Sequence, residues 1–469
     1  MSEDYRTEAD SLGEVQVPAD AYWGAQTQRA VENFPISDVV FGRRFVRALG
    51  VVKKAAAQAN RDLGHLDDDT ADAIVAAADE VIAGEHDDQF PVDVFQTGSG
   101  TSSNMNANEV IANRAAEIAG AEIGERVVHP NDDVNFGQSS NDVIPTAMHV
   151  AALEAVEKDL VPALEALEDA LAAKEDEFDG VVKTGRTHLQ DATPVRLGQE
   201  FGGYRTQVEK GIDRLESVSP RLAELALGGT AVGTGLNTDP EFPELAAEYM
   251  SEETGLEFRE ADDHFEAQAA HDAMSEAHGA LRVIAGSLNK IANDLRLLAS
   301  GPRNGLGEIE QPENQPGSSI MPGKINPVVA EAVNQVHKQV VGNDAAVSAG
   351  AAEGQIDLNL YKPVIAHNFL ESAELLSNSA TTFAEKFVAK LEANEEHCEA
   401  QVERSMALAT ALNPAIGYDK ASKVAKQALA EGKSVKEVAV AEGYLTEDEA
   451  EDVLDPEKMT HRGILGDEE

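Results

Sequence analysis

Residues 274–298 read MSEAHGALRVIAGSLNKIANDLRLL, and the apolar side chains of this stretch decide the fold. They recur at alternating spacings of three and four positions, and the series is Met274, Ala277, Leu281, Ile284, Leu288, Ile291, Leu295 and Leu298. Such a repeat lines one face of a long α-helix and suits packing against near-parallel neighbours. The stretch therefore predicts a long helix within a helical bundle.

The same periodicity continues through most of the chain, which has few strand-like alternations. A second apolar series begins at Leu153 and ends at Leu171. The other candidate helices cover residues 44–61, 71–82, 103–119, 199–217, 328–348 and 373–408. Several of these exceed the usual length of a globular helix. We therefore predict a mainly α fold built as an elongated helical bundle.

The length of 469 residues is too great for one compact core, so we expect several domains. The mixed pattern of residues 1–138 predicts an N-terminal domain, and residues 139–395 predict the central long-helix bundle. Residues 396–469 predict a small helical C-terminal domain, in which Gly432 and Gly443 end short helices.

The charge balance is strongly acidic, with 85 acidic and 37 basic residues and a net charge of −48. Such a surface repels nucleic acids and anionic membranes, so neither is an expected partner. The opening Met1–Asp4 is acidic and no apolar run reaches membrane length, which predicts a cytoplasmic protein. Because the acidic clusters lie within ordinary apolar patterning, we interpret the charge as adaptation to a halophilic cytoplasm.

The chain offers little for a metal or a cofactor. Its single cysteine, Cys398, excludes an internal disulfide and an iron–sulfur cluster held by several protein thiolates. The charged surroundings of Cys398 favour an ordinary helix residue over a zinc ligand. Gly98-Ser99-Gly100 lacks the third glycine and the preceding strand of a dinucleotide fingerprint, and no P-loop is present. We expect neither a metal nor a cofactor.

The loop Gly317–Pro327 (GSSIMPGKINP) is the most informative polar segment of the sequence. A loop of this general composition is usually a surface connection. However, a single cation, Lys324, among small residues with free N–H groups also suits a mobile loop that closes on an anion. We expect the apolar pair Ile320-Met321 to tuck under the loop and Pro322-Gly323 to form a turn that directs Lys324.

Three further polar segments each have a structural and a functional interpretation. Thr97–Asn104 suits either a helix N-cap or an anion site at a helix N-terminus. Two Asn/Asp-rich clusters follow Arg126 and His129 and carry more hydrogen-bonding capacity than a turn needs. In the polar segment Gly185–Ala192, His188 is either structural or placed for proton transfer, given a carboxylate to orient it.

Together these segments supply the hydroxyl, amide and cationic groups that a small dicarboxylate needs. The loop Gly317–Pro327 closely resembles the signature of the fumarase/aspartase superfamily. From Pro18–Thr27 to Leu412–Lys420 the chain resembles the class II (iron-independent) fumarate hydratases. That family is mainly helical and homotetrameric, with a twenty-helix core and active sites assembled from loops of three subunits. The resemblance implies the same fold and assembly here.

The positions that separate the sister enzymes favour a fumarase. Aspartases typically carry Gln in place of His188, Ser-Thr-Asn-Asp in place of Ser139–Asp142 and Ala in place of Gly323, and this chain has the fumarase residue each time. Departures at Ile325 and Val328-Val329 are all apolar and are expected to affect packing. An aspartate ammonia-lyase or another superfamily lyase is the alternative. A non-catalytic structural protein, like some eye-lens crystallins, is the remote one.

The resemblance implies reversible hydration of fumarate to L-malate in the tricarboxylic acid cycle. By resemblance, the catalytic residues are His188, Ser318, Glu331 and Lys324. The implied substrate-binding residues are Ser99, Gly100, Thr101, Ser139, Ser140, Asn141, Thr187, Ser319, Lys324 and Asn326. A second anion site is implied at Arg126, His129, Asn131 and Asp132.

The chemistry explains why such residues are needed. Removal of the C3 proton from malate creates an aci-carboxylate, whose charge requires fixed donors and a cation. Ser318 is the candidate base, whereas His188, oriented by Glu331, would handle the hydroxyl or water at C2. Which of the two side chains takes the C3 proton stays open at this point.

The acidic surface leads to a first prediction. We expect the thermal unfolding midpoint to rise from low salt to molar KCl, because screening weakens repulsion among the 85 carboxylate-bearing residues. A thermal unfolding series across KCl concentrations measures this dependence. A midpoint that falls steadily toward molar KCl would contradict the halophilic interpretation.

Overall fold

The computed structural model describes residues 4–463. The acidic opening Met1–Glu3 and the ends of the two predicted terminal domains lie outside this range. Most of the described chain is helical, so the prediction of a mainly α fold is confirmed. The α-helices are α1 (Ala25–Asn33), α2 (Arg43–Asp62), α3 (Asp68–Ala83), α4 (Thr101–Ile118), α5 (Ser140–Glu154), α6 (Val161–Glu177), α7 (Leu197–Leu222), α8 (Phe242–Thr254), α9 (His264–Ala269), α10 (Asp272–Leu298), α11 (Val328–Ala352), α12 (Lys362–Lys386), α13 (Glu395–Glu403), α14 (Leu412–Ile416), α15 (Tyr418–Glu431), α16 (Val435–Ala441) and α17 (Glu447–Val453).

The strands of the described region are short and form two-stranded sheets only. They are β1 (Tyr5–Asp10), β2 (Gly13–Pro18), β3 (Val182–Thr187), β4 (Gln190–Arg196), β5 (Glu224–Leu225), β6 (Arg259–Glu260), β7 (Ile309–Glu310) and β8 (Glu392–Ala393). The pair β5–β6 is parallel, and the pairs β1–β2, β3–β4 and β7–β8 are antiparallel. Within residues 4–463 no helix is both long and apolar enough to cross a membrane.

The apolar series of residues 274–298 is buried along the whole of α10. Each of its eight side chains is at most 7% exposed. Burial of one Leu or Ile side chain contributes about 1.5–3 kcal/mol, so this stripe is a large part of what holds the helix in place. The long helix predicted from the spacing is therefore confirmed.

Contacts between Cα atoms divide the chain into two compact units. The first comprises Met1–Pro162, Ile212–Ala285 and Lys338–Ser377, and the second comprises Ala163–Gly211, Gly286–His337 and Asn378–Glu469. The boundaries fall inside α6, α7, α10, α11 and α12, so neither unit is one continuous segment of sequence. The three-domain division at residues 138 and 395 stays a prediction.

Two expectations about local structure were wrong. The candidate helix at 373–408 is interrupted, because α12 ends at Lys386 and the strand β8 precedes α13. No Gly or Pro marks this break, which accompanies pairing of Glu392–Ala393 with Ile309–Glu310. The polar segment Gly185–Ala192, for which no strand was predicted, lies in the hairpin β3–β4.

The short helices near the C-terminus begin and end at residues typical of helix caps. Helix α15 ends at Gly432, which adopts the left-handed conformation with φ +67°. Helices α16 and α17 each begin with a capping box, Ser434 with Glu437 and Thr446 with Glu449. Such boxes satisfy N–H groups that the first helical turn leaves free.

A buried histidine on α5 links protonation to folding. His149 is 9% exposed, and its Nδ1 lies 2.7 Å from the carbonyl oxygen of Glu224. Burial lowers the pKa of His149 to about 4, below the ordinary value of 6.5. Between these two values the unfolded chain binds more protons than the folded chain, so the contribution of His149 to stability increases as pH rises.

We expect His149→Gln to remove this contribution to the pH dependence of unfolding. Between about pH 6.5 and pH 5 the wild type should lose about 1.6 kcal/mol more stability than the variant. Thermal or urea unfolding of both proteins in molar KCl measures the difference. Identical slopes against pH in the two proteins would show that His149 does not titrate in this way.

Candidate active site

Three serine and threonine hydroxyls form a hydrogen-bonded chain in the first unit, named here the hydroxyl cluster. The Oγ of Ser99 lies 2.8 Å from Oγ1 of Thr101, which lies 2.8 Å from Oγ of Ser140. Thr101 is the first residue of α4, and Ser140 is the first residue of α5. The cluster therefore lies at two helix N-termini, where free N–H groups and helix dipoles favour an anion.

Two glycines allow the turn before α4 to form. A Cβ atom on Gly98 would lie 1.9 Å from the carbonyl oxygen of Leu360. Gly100 is the N-cap of α4 with φ +79°, and a Cβ there would lie 2.8 Å from the side chain of Ile144. Larger residues would displace Ser99 and Thr101, so both glycines shape the hydroxyl cluster.

The turn before α5 is held by a buried carboxylate. Ser139 is the N-cap of α5 and forms a capping box with Asp142. The carboxylate of Asp142 accepts hydrogen bonds from the backbone N–H groups of Ser139 (2.9 Å), Gly228 (3.1 Å) and Thr230 (2.8 Å). Burial raises the pKa of Asp142 to about 6, against the effect of these donors. This carboxylate fixes the backbone that carries Ser140.

Helix α2 carries a buried lysine, Lys53, that was not among the predicted site residues. The Nζ of Lys53 donates to Oδ1 of Asn135 and Oε1 of Gln138, both at 2.9 Å, in the segment that leads to α5. The same Oδ1 accepts hydrogen bonds from Asn104 and Asn108 of α4, each at 3.2 Å. Burial lowers the pKa of Lys53 to about 7. One signal existed: Lys53 follows buried Leu49 by four positions, which places it on the apolar face of α2.

A second buried lysine was also missed. The Nζ of Lys362 donates to the carbonyl oxygen of Asn141 at 3.0 Å, and the side chain is fully buried. Burial lowers the pKa of Lys362 to about 7, while the charge of Asp142 raises it. Lys362 is the first residue of α12, and no pattern around it in the sequence predicts burial.

Three of the four residues of the expected second anion site lie together. His129 precedes a π-helical turn at Pro130–Val134, and its Nδ1 accepts the backbone N–H groups of Asn131 (3.2 Å) and Asp132 (3.0 Å). The guanidinium of Arg126 donates to a backbone carbonyl of β1 at 2.6 Å. In the described region, no hydrogen bond or ion pair links Arg126 to the other three residues.

His188 lies at the tip of the hairpin β3–β4 in the second unit. Thr187 pairs with Gln190, which leaves His188 and Leu189 as a two-residue turn with φ values of +57° and +59°. Consecutive positive φ values are typical of a type I′ turn, which prefers Asn and Gly. His and Leu at these positions are strained, and such strain is frequent at functional sites. The exposed imidazole has no hydrogen-bond partner among residues 4–463.

The base of this hairpin is fixed by a buried carboxylate. Glu308 is fully buried and pairs with Arg186 at 2.6 Å and with Lys183 at 3.1 Å. Both cations belong to β3, the strand that leads to His188. Cys398 donates its thiol to the Glu308 carbonyl at 3.6 Å, and burial raises the pKa of that thiol to about 12. Cys398 lies in the helix α13, as predicted, but it is buried, which its charged neighbours in the sequence did not indicate.

The loop Gly317–Pro327 closes on itself in the second unit. The side-chain amide of Asn326 donates to the Gly317 carbonyl at 2.5 Å, and the backbone N–H of Lys324 donates to the Met321 carbonyl at 3.3 Å. Gly323 has φ +76°, so the expected Pro322-Gly323 turn is present.

The prediction that the apolar pair of this loop is tucked under was wrong. Ile320 is 83% exposed and Met321 is 48% exposed in the single chain. Their backbone N–H groups instead turn inward and donate to Oγ of Ser318 at 3.2 and 3.0 Å. Folding of the pair against the loop would require other hydrogen bonds for these donors. Neighbouring Ser319 is exposed.

Lys324 and Glu331 line one cavity of ≈590 Å³ together with Arg296. Glu331 lies in the first turn of α11, and its carboxylate is 3.8 Å from the guanidinium of Arg296. Lys324 is exposed and forms no ion pair within the described residues. No hydrogen bond or ion pair in that same part of the chain joins Glu331 to His188.

The expected site residues thus form three groups on separate segments. The first is the hydroxyl cluster with Gly100, Ser139 and Asn141; the second is Thr187 with His188; the third is Ser318, Ser319, Lys324 and Asn326 with Glu331. Across residues 4–463, no set of three His, Cys, Asp or Glu side chains is arranged to hold a metal ion. The three groups offer hydroxyl donors, an imidazole and a cation with a carboxylate, which suits acid–base chemistry on an anionic substrate.

Comparison with known proteins agrees with this chemistry. The protein family described as "Lyase" matches residues 13–342, and the family "Fumarase C C-terminus" matches residues 408–461. A curated relative from Halobacterium salinarum, named fumarate hydratase class II, is 84% identical over 465 residues and 99% of each chain is covered. Its source supports the halophilic interpretation of the charge.

Solved structures agree with the sequence relatives. A fumarate lyase:delta crystallin from Brucella melitensis bound to cobalt has a TM-score of 0.95 at 50% identity, with 98% of this chain and 100% of that chain covered. A recombinant class II fumarase from Schistosoma mansoni has a TM-score of 0.95 at 40% identity, with 97% and 99% covered. Aspartase and non-catalytic interpretations are not favoured by these relatives. The chain belongs to the class II fumarate hydratases, a family of hydro-lyase enzymes.

Proposed function

We propose that this chain catalyses the reversible hydration of fumarate to L-malate in the tricarboxylic acid cycle, in the cytoplasm of a halophile. The observation that carries the proposal is the hydroxyl cluster at the N-termini of α4 and α5. Neutral donors at two helix ends suit a carboxylate, because they stabilise negative charge without a competing anion. Membership of the family supports fumarate as the dicarboxylate.

The same proposal includes a homotetramer whose active sites each draw on three subunits. Each group of site residues lacks something that the reaction needs. Among the described residues, the hydroxyl cluster has no acid–base group, and Lys183 and Arg186 of the His188 hairpin are already paired with buried Glu308. Apolar side chains on the long helices support assembly, since Val283, Leu297 and Val341 are each about 40% exposed in the single chain. Three chains would supply donors, imidazole and cation to one substrate.

The geometry around Ser318 supports its role as a base. Two backbone N–H groups donate to its Oγ, and hydrogen bonds to the charged form of a group favour that form. The alkoxide would take the C3 proton of malate, and the electron pair of the C3–H bond would move onto the adjacent carboxylate. Lys324 and the hydroxyl cluster would stabilise the resulting aci-carboxylate.

The second half of the reaction removes the C2 hydroxyl. The C2–O bond breaks as the hydroxyl receives a proton from His188, and water leaves. Glu331 of another subunit would orient the imidazole and stabilise its charged form. The alternative, in which His188 takes the C3 proton, uses the same groups in exchanged roles. The proposal also includes a second anion site near the entrance of the active site, formed by Arg126, His129, Asn131 and Asp132.

The direct test of the proposed function is an absorbance assay for loss of fumarate in molar KCl. We expect turnover of fumarate and no release of ammonia from aspartate. A folded tetramer without activity toward fumarate would overturn the proposal, and ammonia release would favour an aspartase.

We expect His188→Asn to lower turnover by about 10²–10⁴-fold, the usual contribution of general acid–base catalysis. The matched control is His461→Asn, which changes an exposed histidine outside the proposed site. Steady-state rates with fumarate and with malate measure both variants. Near-normal turnover of His188→Asn would remove this residue from the mechanism.

We expect Ser318→Ala to lower the rate while binding of succinate, a dicarboxylate that cannot react, stays largely intact. The adjacent Ser319→Ala is the comparison, because Ser319 is proposed to bind a substrate carboxylate and its loss should weaken succinate binding. Calorimetric titration and steady-state rates separate the two effects. If Ser318→Ala also loses succinate binding, Ser318 is a ligand for the substrate and not the base.

A further inference from the structure

Helix α5 contains a proline close to the hydroxyl cluster. Pro145 lies inside α5, four residues after Asn141. In an α-helix the carbonyl of residue i accepts the N–H of residue i+4, and proline has no N–H to donate. The carbonyl of Asn141 therefore lacks its usual helical N–H donor. Asn141 directly follows Ser140 of the cluster.

The side chain of Lys362 supplies the missing donor. Its Nζ donates to the Asn141 carbonyl at 3.0 Å. The backbone N–H of the same residue donates to the carbonyl of Gly98 at 3.3 Å. Gly98 precedes Ser99, so Lys362 contacts both segments that carry the hydroxyl cluster. Through these two hydrogen bonds Lys362 links the segment before α4 to the first turn of α5.

Stability alone does not account for a lysine at this position. The side chain is fully buried, and burial of an amine without compensation is costly. Replacement of buried charges by apolar side chains of similar volume is often neutral or stabilising. The nearby His271 is also buried, and among residues 4–463 neither of its ring nitrogens has a hydrogen-bond partner. A neutral imidazole supplies no negative charge to compensate Lys362. The distinctive contact of the Lys362 ammonium is its bond to the Asn141 carbonyl.

We propose that Lys362 is a positioning residue for the hydration reaction. It replaces the donor that Pro145 lacks and so holds the first turn of α5 in register with α4. The hydroxyls of the cluster then meet one substrate carboxylate together. This inference rests on the proposed function, because it takes a dicarboxylate to be the ligand of the cluster.

The test is a rescue experiment with Lys362→Met and the double variant Lys362→Met/Pro145→Ala. Met has nearly the length of Lys but no donor, so we expect the Kd of succinate to rise by about tenfold or more. The Pro145→Ala substitution restores a backbone N–H that can bond to the Asn141 carbonyl. The double variant should therefore bind succinate within about threefold of the wild type. If Lys362 acted through its charge alone, the Pro145→Ala substitution would not restore succinate binding.

Lys174→Met is the matched control. Lys174 is also a buried lysine that donates to a backbone carbonyl, that of Leu391 at 2.7 Å, but it belongs to the second unit. We expect its loss to lower the unfolding midpoint and to leave the Kd of succinate unchanged. If Lys362→Met binds succinate like the wild type, or if the folded double variant shows no recovery, the proposal is overturned.

Hydrogen exchange separates failure of this inference from failure of the proposed function. Amides of residues 139–146 should exchange faster in Lys362→Met than in the wild type, and Pro145→Ala should reverse the change. The exchange rates test this inference even if the wild type neither binds succinate nor hydrates fumarate. That result would overturn the proposed function and leave the role of Lys362 in the helix standing. If Lys362→Met does not fold, recovery of folding in the double variant supports the proposal, and continued failure contradicts it.

Discussion

The buried carboxylate of Asp142 is the contact on which the rest of the first unit's site depends. It accepts N–H groups from the turn before α5 and from the loop at Gly228 and Thr230, so one side chain fixes two segments. Its charge also attracts the two buried lysines, Lys53 and Lys362. The lysines in turn hold the segments that precede α4 and α5 and the first turn of α5, so buried polar contacts fix the hydroxyl cluster. Preorganised donors of this kind stabilise developing charge without rearrangement.

A chain with a net charge of −48 must still bind a dianion. The long-range field of such a protein opposes the approach of an anionic substrate. At about 1 M salt the Debye length falls to about 3 Å, so the distant carboxylates no longer act on the ligand. We propose that binding is then decided by local groups: hydroxyls at helix ends, the ammonium of Lys324 and the donors of the Gly317–Pro327 loop. The acidic surface and the anion site are therefore compatible in concentrated salt.

Much of the fold follows from sequence patterns because the signals are local. The spacing within residues 274–298 and the stops at Gly432 and Gly443 each match the structure, and the small residues at Thr97–Asn104 do open a helix. The break at the end of α12 could not be predicted, since it accompanies pairing with a strand about 80 residues away. The tip of the hairpin β3–β4 at His188 adopts positive φ values, although the sequence has no Asn or Gly there to indicate such a turn. Strain of this kind is imposed by surrounding structure.

The proposed active site combines groups from different chains. Co-expression of His188→Asn and Ser318→Ala subunits, with purification of tetramers that carry both, tests this assembly. If the two residues of one site come from different subunits, random mixing leaves about one quarter of the sites with both native side chains. We expect these mixed tetramers to regain about that fraction of the wild-type rate of fumarate hydration. Mixed tetramers no more active than either parent variant would contradict it.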